Sequence, residues 1–193
     1  MSFGWETFTE LDRQLFVILN GWHAPWADVL MNTITFKYTW VPLYVILIGL
    51  AVRRHRARAY PMLLTAILAV GLADWLASGL LKPWVARPRP CHDPALAGLL
   101  HLVDGCGGPF GFVSSHASTS FALALVLSQL LKSTLPGIPW LYAWAVLYSY
   151  SRIYVGVHLP GDILGGALVG LLSGTLLLLL YKMFYRKKYG NIL

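Results

Sequence analysis

Acid is the scarcest chemistry in this chain. Of 193 residues only eight are aspartate or glutamate, and they are scattered, so no carboxylate cluster is available to hold Mg2+. Charge of either sign accounts for 12% of residues against 57% apolar, far from the balance of a soluble domain. The 15 lysines and arginines leave a net charge of +7. They form no single stripe and no basic-aromatic interleaving, and there is no recognition helix, so nucleic acid is not the expected partner. No basic segment leads into an apolar run at the N-terminus, and a cleavable signal peptide is not expected. Cysteine occurs only twice, at Cys91 and Cys106.

What the chain has instead is long apolar runs. The pattern predicts one all-α domain over residues 1–193, a polytopic membrane helix bundle embedded in the lipid bilayer. Five spans are expected, over residues 39–52, 60–81, 116–131, 140–157 and 163–181, several of them near the roughly 20 residues that cross a bilayer. Residues 1–36 read as N-terminal amphipathic helices. The first places Leu11, Leu15, Phe16, Ile18 and Leu19 among Glu6, Glu10, Asp12 and Arg13 and ends near Asn20-Gly21. The second follows the His23-Ala24-Pro25 break, with Trp22 and Trp26 as interfacial anchors. Together they form an interfacial element or a weak sixth span.

Basic residues cluster at the ends of the runs. If the spans alternate, Arg53, Arg54, Arg56 and Arg58, then Lys132, then Arg186, Lys187 and Lys188 share one side, which the positive-inside rule makes cytoplasmic. Residues 82–114, rich in Pro and Gly, then form an extracytoplasmic loop. A loop of that length in a compact domain is functional or disordered, and the motifs beside it favour function.

Three polar segments meet at that face. The first runs from Lys82 to Arg89-Pro90; lysine offers a point charge, and arginine a planar fork matched to phosphate oxygens. Its plainer reading is a set of snorkelling residues at a helix end. The second is Ser114-Ser115-His116, opening a helix whose N-terminus can bind an anion and whose histidine can protonate a leaving group; its plainer reading is an ordinary serine cap. The third runs from Ser151-Arg152 through His158 to Asp162. Pro160 suits a first helical turn and puts His158 just before it and Asp162 inside it. A carboxylate beside an imidazole fixes the ring tautomer and improves the other nitrogen as nucleophile or base.

At these residues the sequence resembles the type 2 phosphatidic acid phosphatases, the membrane branch of the acid phosphatase and vanadium haloperoxidase superfamily. Lys82-x6-Arg89-Pro90 and Ser151-Arg152-x5-His158-x3-Asp162 match the family's first and third motifs. The second, Pro-Ser-Gly-His, is met by Val113-Ser114-Ser115-His116 with Val for Pro and Ser for Gly. The resemblance implies that His158 attacks phosphorus, that Asp162 orients it, and that His116 protonates the departing oxygen and then activates water. Lys82, Arg89, Ser114, Ser115 and Arg152 would bind the phosphoryl group, with no metal and no cofactor. Arg87-Pro88 offers a rival register, with Arg87 otherwise in a supporting or headgroup role.

The resemblance further implies a lipid phosphate or pyrophosphate as substrate, undecaprenyl pyrophosphate first, with phosphatidylglycerophosphate, phosphatidic acid and lipid A as alternatives. The place implied is the bacterial cytoplasmic membrane, with the site facing the periplasm or exterior. A non-enzymatic protein that binds or transports a lipid anion is the competing class; a soluble haloperoxidase-like role is disfavoured by the spans.

Three side features complete the reading. Cys91 and Cys106, on the oxidising side, are expected to form a disulfide; the alternatives are free thiols or zinc held by Cys91, His92, His101 and Cys106. Asp74, about two turns before Lys82, is read as a structural carboxylate that braces a neighbour. Gly165, Gly166, Gly170 and Gly174 have small-xxx-small spacing, which signals close helix packing.

Overall fold

The computed structural model describes residues 3–189, with side chains from 6 to 184. Its helices are α1 (Phe3–Asn20), α2 (Pro25–Thr35), α3 (Val41–His55), α4 (Ala59–Asp74), α5 (Lys82–Val85), α6 (Ser115–Leu131), α7 (Trp140–Tyr154) and α8 (Pro160–Tyr189). Helical geometry continues from α4 into α5 through a π-helical stretch, Trp75–Leu81. Prolines in the first turn start α2 and α3, positions where the missing N–H costs nothing. Among the described residues the one β pairing is an isolated bridge between Pro88 and Phe110. The side chains of Arg186, Lys187 and Lys188 lie outside the described residues.

Among the described residues two stretches are long and apolar enough to cross a membrane, Lys37–Val85 and Pro160–Phe184, and Ser115–Leu131 is a shorter apolar helix. The first folds back on itself. Arg56, at φ 51°, breaks it, and Val41 and Tyr44 near the start of α3 share a cavity wall with Val70 and Asp74 at the end of α4. The two helices are therefore antiparallel. The turn between them reaches the turn after α6 through His55 Nε2 and Thr134 Oγ1, 3.0 Å apart. At the opposite end Lys82 meets Ser115. The arginines of residues 53–58 and the Lys82 segment thus occupy opposite ends of the bundle.

The core joins α3, α4, α6, α7 and α8 through small residues: Ala51, Ala59, Ala66, Ala69 and Ala73 lie against Ala122, Val126, Leu141 and Ala145. Close approach is tightest between α6 and α8. A Cβ added at Gly166 would sit 2.4 Å from the Ser114 carbonyl oxygen, and one at Gly170 only 2.2 Å from that of Ser118. On its other face α8 exposes Leu164, Leu168, Leu172 and Leu176, between 49% and 71% accessible. A continuous leucine stripe of that exposure suits hydrocarbon rather than water.

The N-terminal helix turns a partly polar stripe inward and leaves most of its apolar face outside, as an interfacial helix can. Its inward stripe is Asp12, Phe16 and Asn20, all buried, whereas Leu11, Leu15 and Ile18 are exposed. Of the apolar positions named for this helix, Phe16 is the one that becomes fully buried. The reason lies in the partners. Asn20 donates to the carbonyls of His101 (2.9 Å), Ile153 (3.1 Å) and Tyr154 (2.8 Å) and accepts from His101 N (2.7 Å), so its burial leaves no polar atom unmet.

Candidate active site

The turn into α8 sets the two central side chains. Leu159 precedes Pro160 at the helix start, and Asp162, in the first turn, reaches back so that its Oδ2 accepts from Leu159 N at 3.0 Å, the reciprocal half of a capping box. The same oxygen lies 3.2 Å from His158 Nδ1, and the ring also hydrogen-bonds the Gly111 backbone. With the Asp162 carboxylate as its acceptor, Nδ1 carries the proton and Nε2 keeps its lone pair. His158 is 2% and Asp162 0% exposed.

Burial pushes the His158 imidazole well below its ordinary range, and the charges of Arg152, Arg89 and Lys82 push it the same way. Both causes penalise the charged ring, so the neutral form persists into acid. Spectra of the 15N-histidine-labelled protein in detergent, assigned with a His158→Gln variant, should show a neutral, Nδ1-protonated ring at pH 6. A protonated His158 at that pH would overturn this assignment.

Around His158 the three sequence segments converge. Lys82 Nζ donates to Ser115 Oγ at 2.7 Å, and Ser78 Oγ is 2.7 Å from the same hydroxyl. Asp74, exposed, accepts from Ser78 at 3.3 Å, so it braces the Lys82 segment through that serine. Arg152 Nη1 donates to Thr35 Oγ1 at 2.6 Å, while its Nε is buried without a protein acceptor. A buried, unmet guanidinium N–H is a donor suited to an anion. The backbone of Thr35 also hydrogen-bonds the His116 ring, which lies 4.9 Å from the Tyr148 ring. Ser114 is fully buried, and its N–H donates to the Asp162 carbonyl at 2.9 Å, fixing the start of α6 against the start of α8.

The loop that carries Arg89 is closed on itself. Arg89 N donates to the Pro109 carbonyl at 3.0 Å and Nε to that of Phe110 at 3.2 Å. Cys91 and Cys106 are joined by a disulfide. Among the described residues the one group of three close metal-ligand types is Cys91, His92 and Cys106. Because the two sulfurs are bonded to each other, neither thiolate is available to zinc.

Sequence reading did not find Thr35, Gly111 or Asp12 as parts of this assembly. Gly111 allows a close approach: a Cβ there would fall 2.6 Å from Asp162 Oδ2. Arg87, weighed as a rival phosphate ligand, has both terminal guanidinium nitrogens engaged, Nη1 with Asp162 Oδ1 at 3.1 Å and Nη2 with Asp12 Oδ2 at 2.6 Å. It faces carboxylates, so Arg89 is the freer of the two for a ligand.

An apolar cavity of about 760 Å3 reaches this assembly at His116 and at Ser115, the hydroxyl to which Lys82 donates. Ser115, His116 and Asp74 line its polar end; Leu47, Leu63, Leu123 and Leu127 line its depth between α3, α4 and α6. The arrangement can hold a tetrahedral oxyanion, present a neutral imidazole to it, and keep an attached apolar chain out of water.

A family model described as the PAP2 superfamily matches residues 59–186. The chain is 36% identical over 174 residues to the lipid A 4'-phosphatase of Bacteroides thetaiotaomicron, covering 89% of this chain and 77% of that one. Two solved structures share the fold at 28% identity. One is Aquifex aeolicus LpxE, at TM-score 0.69 over 87% of this chain and 94% of the other. The second is a transmembrane PAP2-type phosphatidylglycerolphosphate phosphatase from Bacillus subtilis, at TM-score 0.68 over 94% and 88%.

Proposed function

Since this chain belongs to the PAP2 superfamily, we propose that it hydrolyses a phosphate ester of a membrane lipid through a covalent phosphohistidine. The observation that carries the reading is the apolar cavity ending on His116 and Ser115, beside the cations that surround His158. Such a site accepts an amphiphile whose phosphate reaches His158 while its tail stays among leucines.

In this reading His158 Nε2 attacks phosphorus as the bond to the lipid oxygen breaks, and His116 gives that oxygen its proton. His116 then takes a proton from water, which attacks the phosphohistidine, releases inorganic phosphate and restores Nε2. Asp162 holds the Nδ1–H throughout. Lys82, Arg89 and Arg152, with Ser114, Ser115 and the positive end of α6, stabilise the charge spread over the phosphoryl oxygens in the transition state. Every step uses side chains of this protein, and the scheme calls for no metal and no cofactor.

For the substrate, we place a lipid A-type phosphomonoester ahead of undecaprenyl pyrophosphate, because the relative at 36% identity is named for the former. We further propose five crossings. In that topology Arg53, Arg54, Arg56, Arg58 and Lys132 face the cytoplasm of a bacterial inner membrane and His158 faces the periplasm or exterior.

The test is phosphate release by purified protein in EDTA from four lipids: lipid A, phosphatidylglycerophosphate, phosphatidic acid and undecaprenyl pyrophosphate, with glycerol 3-phosphate as the tail-less control. Release from lipid A is expected to be fastest, and glycerol 3-phosphate to be turned over at least tenfold less efficiently. No phosphate from any lipid would end the proposal, and equal use of glycerol 3-phosphate would remove the role given to the cavity.

A further inference from the structure

Beyond the residues that face a phosphoryl group, a second charged assembly runs away from it. Arg87, 8% exposed, bridges two buried carboxylates, Asp162 at 3.1 Å and Asp12 at 2.6 Å. Asp12 comes from the middle of α1 and uses its other oxygen, Oδ1, to accept from Gly161 N at 2.7 Å. It thus places a carboxylate at the positive end of α8, one residue from Asp162. Gly161 makes this approach possible: a Cβ there would lie 2.6 Å from Asp12 Oδ2 and 3.3 Å from Arg87 Nη1. Three buried charges in a row are costly unless each is met by good geometry. Here Asp12 has two partners, Arg87 has two, and Asp162 adds His158 and Leu159 N to its arginine.

We propose that Asp12 and Arg87 are positioning residues for the reaction, an N-terminal bracket that fixes the Asp162 carboxylate and, through it, the orientation and tautomer of His158. Neither residue touches the substrate in this scheme. The carboxylate of Asp162 has one oxygen for the imidazole and one for Arg87, so the position of the second decides where the first points. Asp12 in turn decides where Arg87 points, because the guanidinium spans both acids. The inference rests on the reading of His158 as nucleophile.

The experiment compares wild type, Asp12→Asn, Arg87→Gln, the double variant and Glu10→Gln, an exposed site on the same helix, using the lipid substrate that wild type turns over best. Asp12→Asn is expected to lower kcat on the order of 10-fold and Arg87→Gln on the order of 100-fold, the range in which support of a reacting group by an outer partner is felt. KM should be unchanged, and Glu10→Gln should match wild type. The double variant should be no slower than Arg87→Gln alone, since Asp12 acts through the arginine.

Lost stability alone would restore kcat on cooling well below each variant's melting temperature. Lost positioning persists there and also shifts the 15N-histidine spectrum of His158 away from the single Nδ1–H tautomer. An inactive wild type would refute the parent reading. An active wild type with unchanged kcat and unchanged His158 spectrum in Asp12→Asn would refute this inference alone, as would multiplicative losses in the double variant.

Discussion

Replacing His158 by alanine should reduce phosphate release by at least about 10^4-fold, the scale of loss when a covalent nucleophile is removed, with no phosphoenzyme trapped by an alkaline denaturing quench. His158 is 2% exposed, its Nδ1 is committed to Asp162, and the nearby cations Arg152, Arg89 and Lys82 disfavour an imidazolium there. His116→Ala should behave differently. Its loss removes a proton donor, a contribution of about 10^2 to 10^4, and the deficit should shrink sharply for an aryl phosphate, whose leaving oxygen needs no proton. The measurement is single-turnover phosphate release from lipid and p-nitrophenyl phosphate by both variants. Full activity in His158→Ala, or an equal deficit on both substrates in His116→Ala, would reverse the assigned roles.

The second large effect is on the fold. Gly170→Leu should prevent α6 and α8 from closing, because a Cβ at this position already falls 2.2 Å from Ser118 O and 3.0 Å from Ala122 N. These are backbone atoms of a helix and cannot swing aside. Overpacking costs about 1–3 kcal/mol, occasionally more, and for a chain of this length each kcal/mol moves Tm by roughly 2–4 °C. A fall of several degrees or loss of a monodisperse species is therefore expected in detergent thermal melts. Leu168→Ala, on the exposed stripe, should leave Tm within about 1–2 °C. A wild-type melt for Gly170→Leu would mean that the two helices do not approach as described.

The sequence was most informative where chemistry sets the spacing. Lys82, Arg89, Ser114, Ser115, His116, Arg152, His158 and Asp162 announce themselves as polar groups beside apolar runs, and the structure brings them to one end of the bundle. Pro160 placed the start of α8 correctly because its ring constrains that position alone. The spacing of the glycines on α8 signalled close packing, and α6 is the helix they meet.

The missing parts were those for which periodicity gives a stripe but not its direction. In α1 the residues Leu11, Leu15 and Ile18 look like a core face, and in water they would be one. With an apolar exterior that face is free to point out, and Asp12 and Asn20 point in, where partners from remote segments satisfy them. Thr35 carried no signal at all: an ordinary threonine at the end of α2, it matters because Arg152 and His116 fold onto it. Arg87 was visible, but its two acidic partners lie 75 residues away on either side, beyond any local pattern.

That separation bears on how the protein is made. Asp12 belongs to α1, yet its carboxylate accepts from the amide of Gly161, 149 residues later, at the start of α8. Contacts so distant in sequence form late, and until α8 is in place Asp12 and Arg87 have neither Gly161 nor Asp162 to meet. The pocket around His158 is consequently among the last features to be completed during membrane insertion. A nascent chain stalled before α8 carries Lys82, Arg89 and Arg152 but neither Gly161 nor Asp162, so the bracket that holds His158 closes only once α8 is in place.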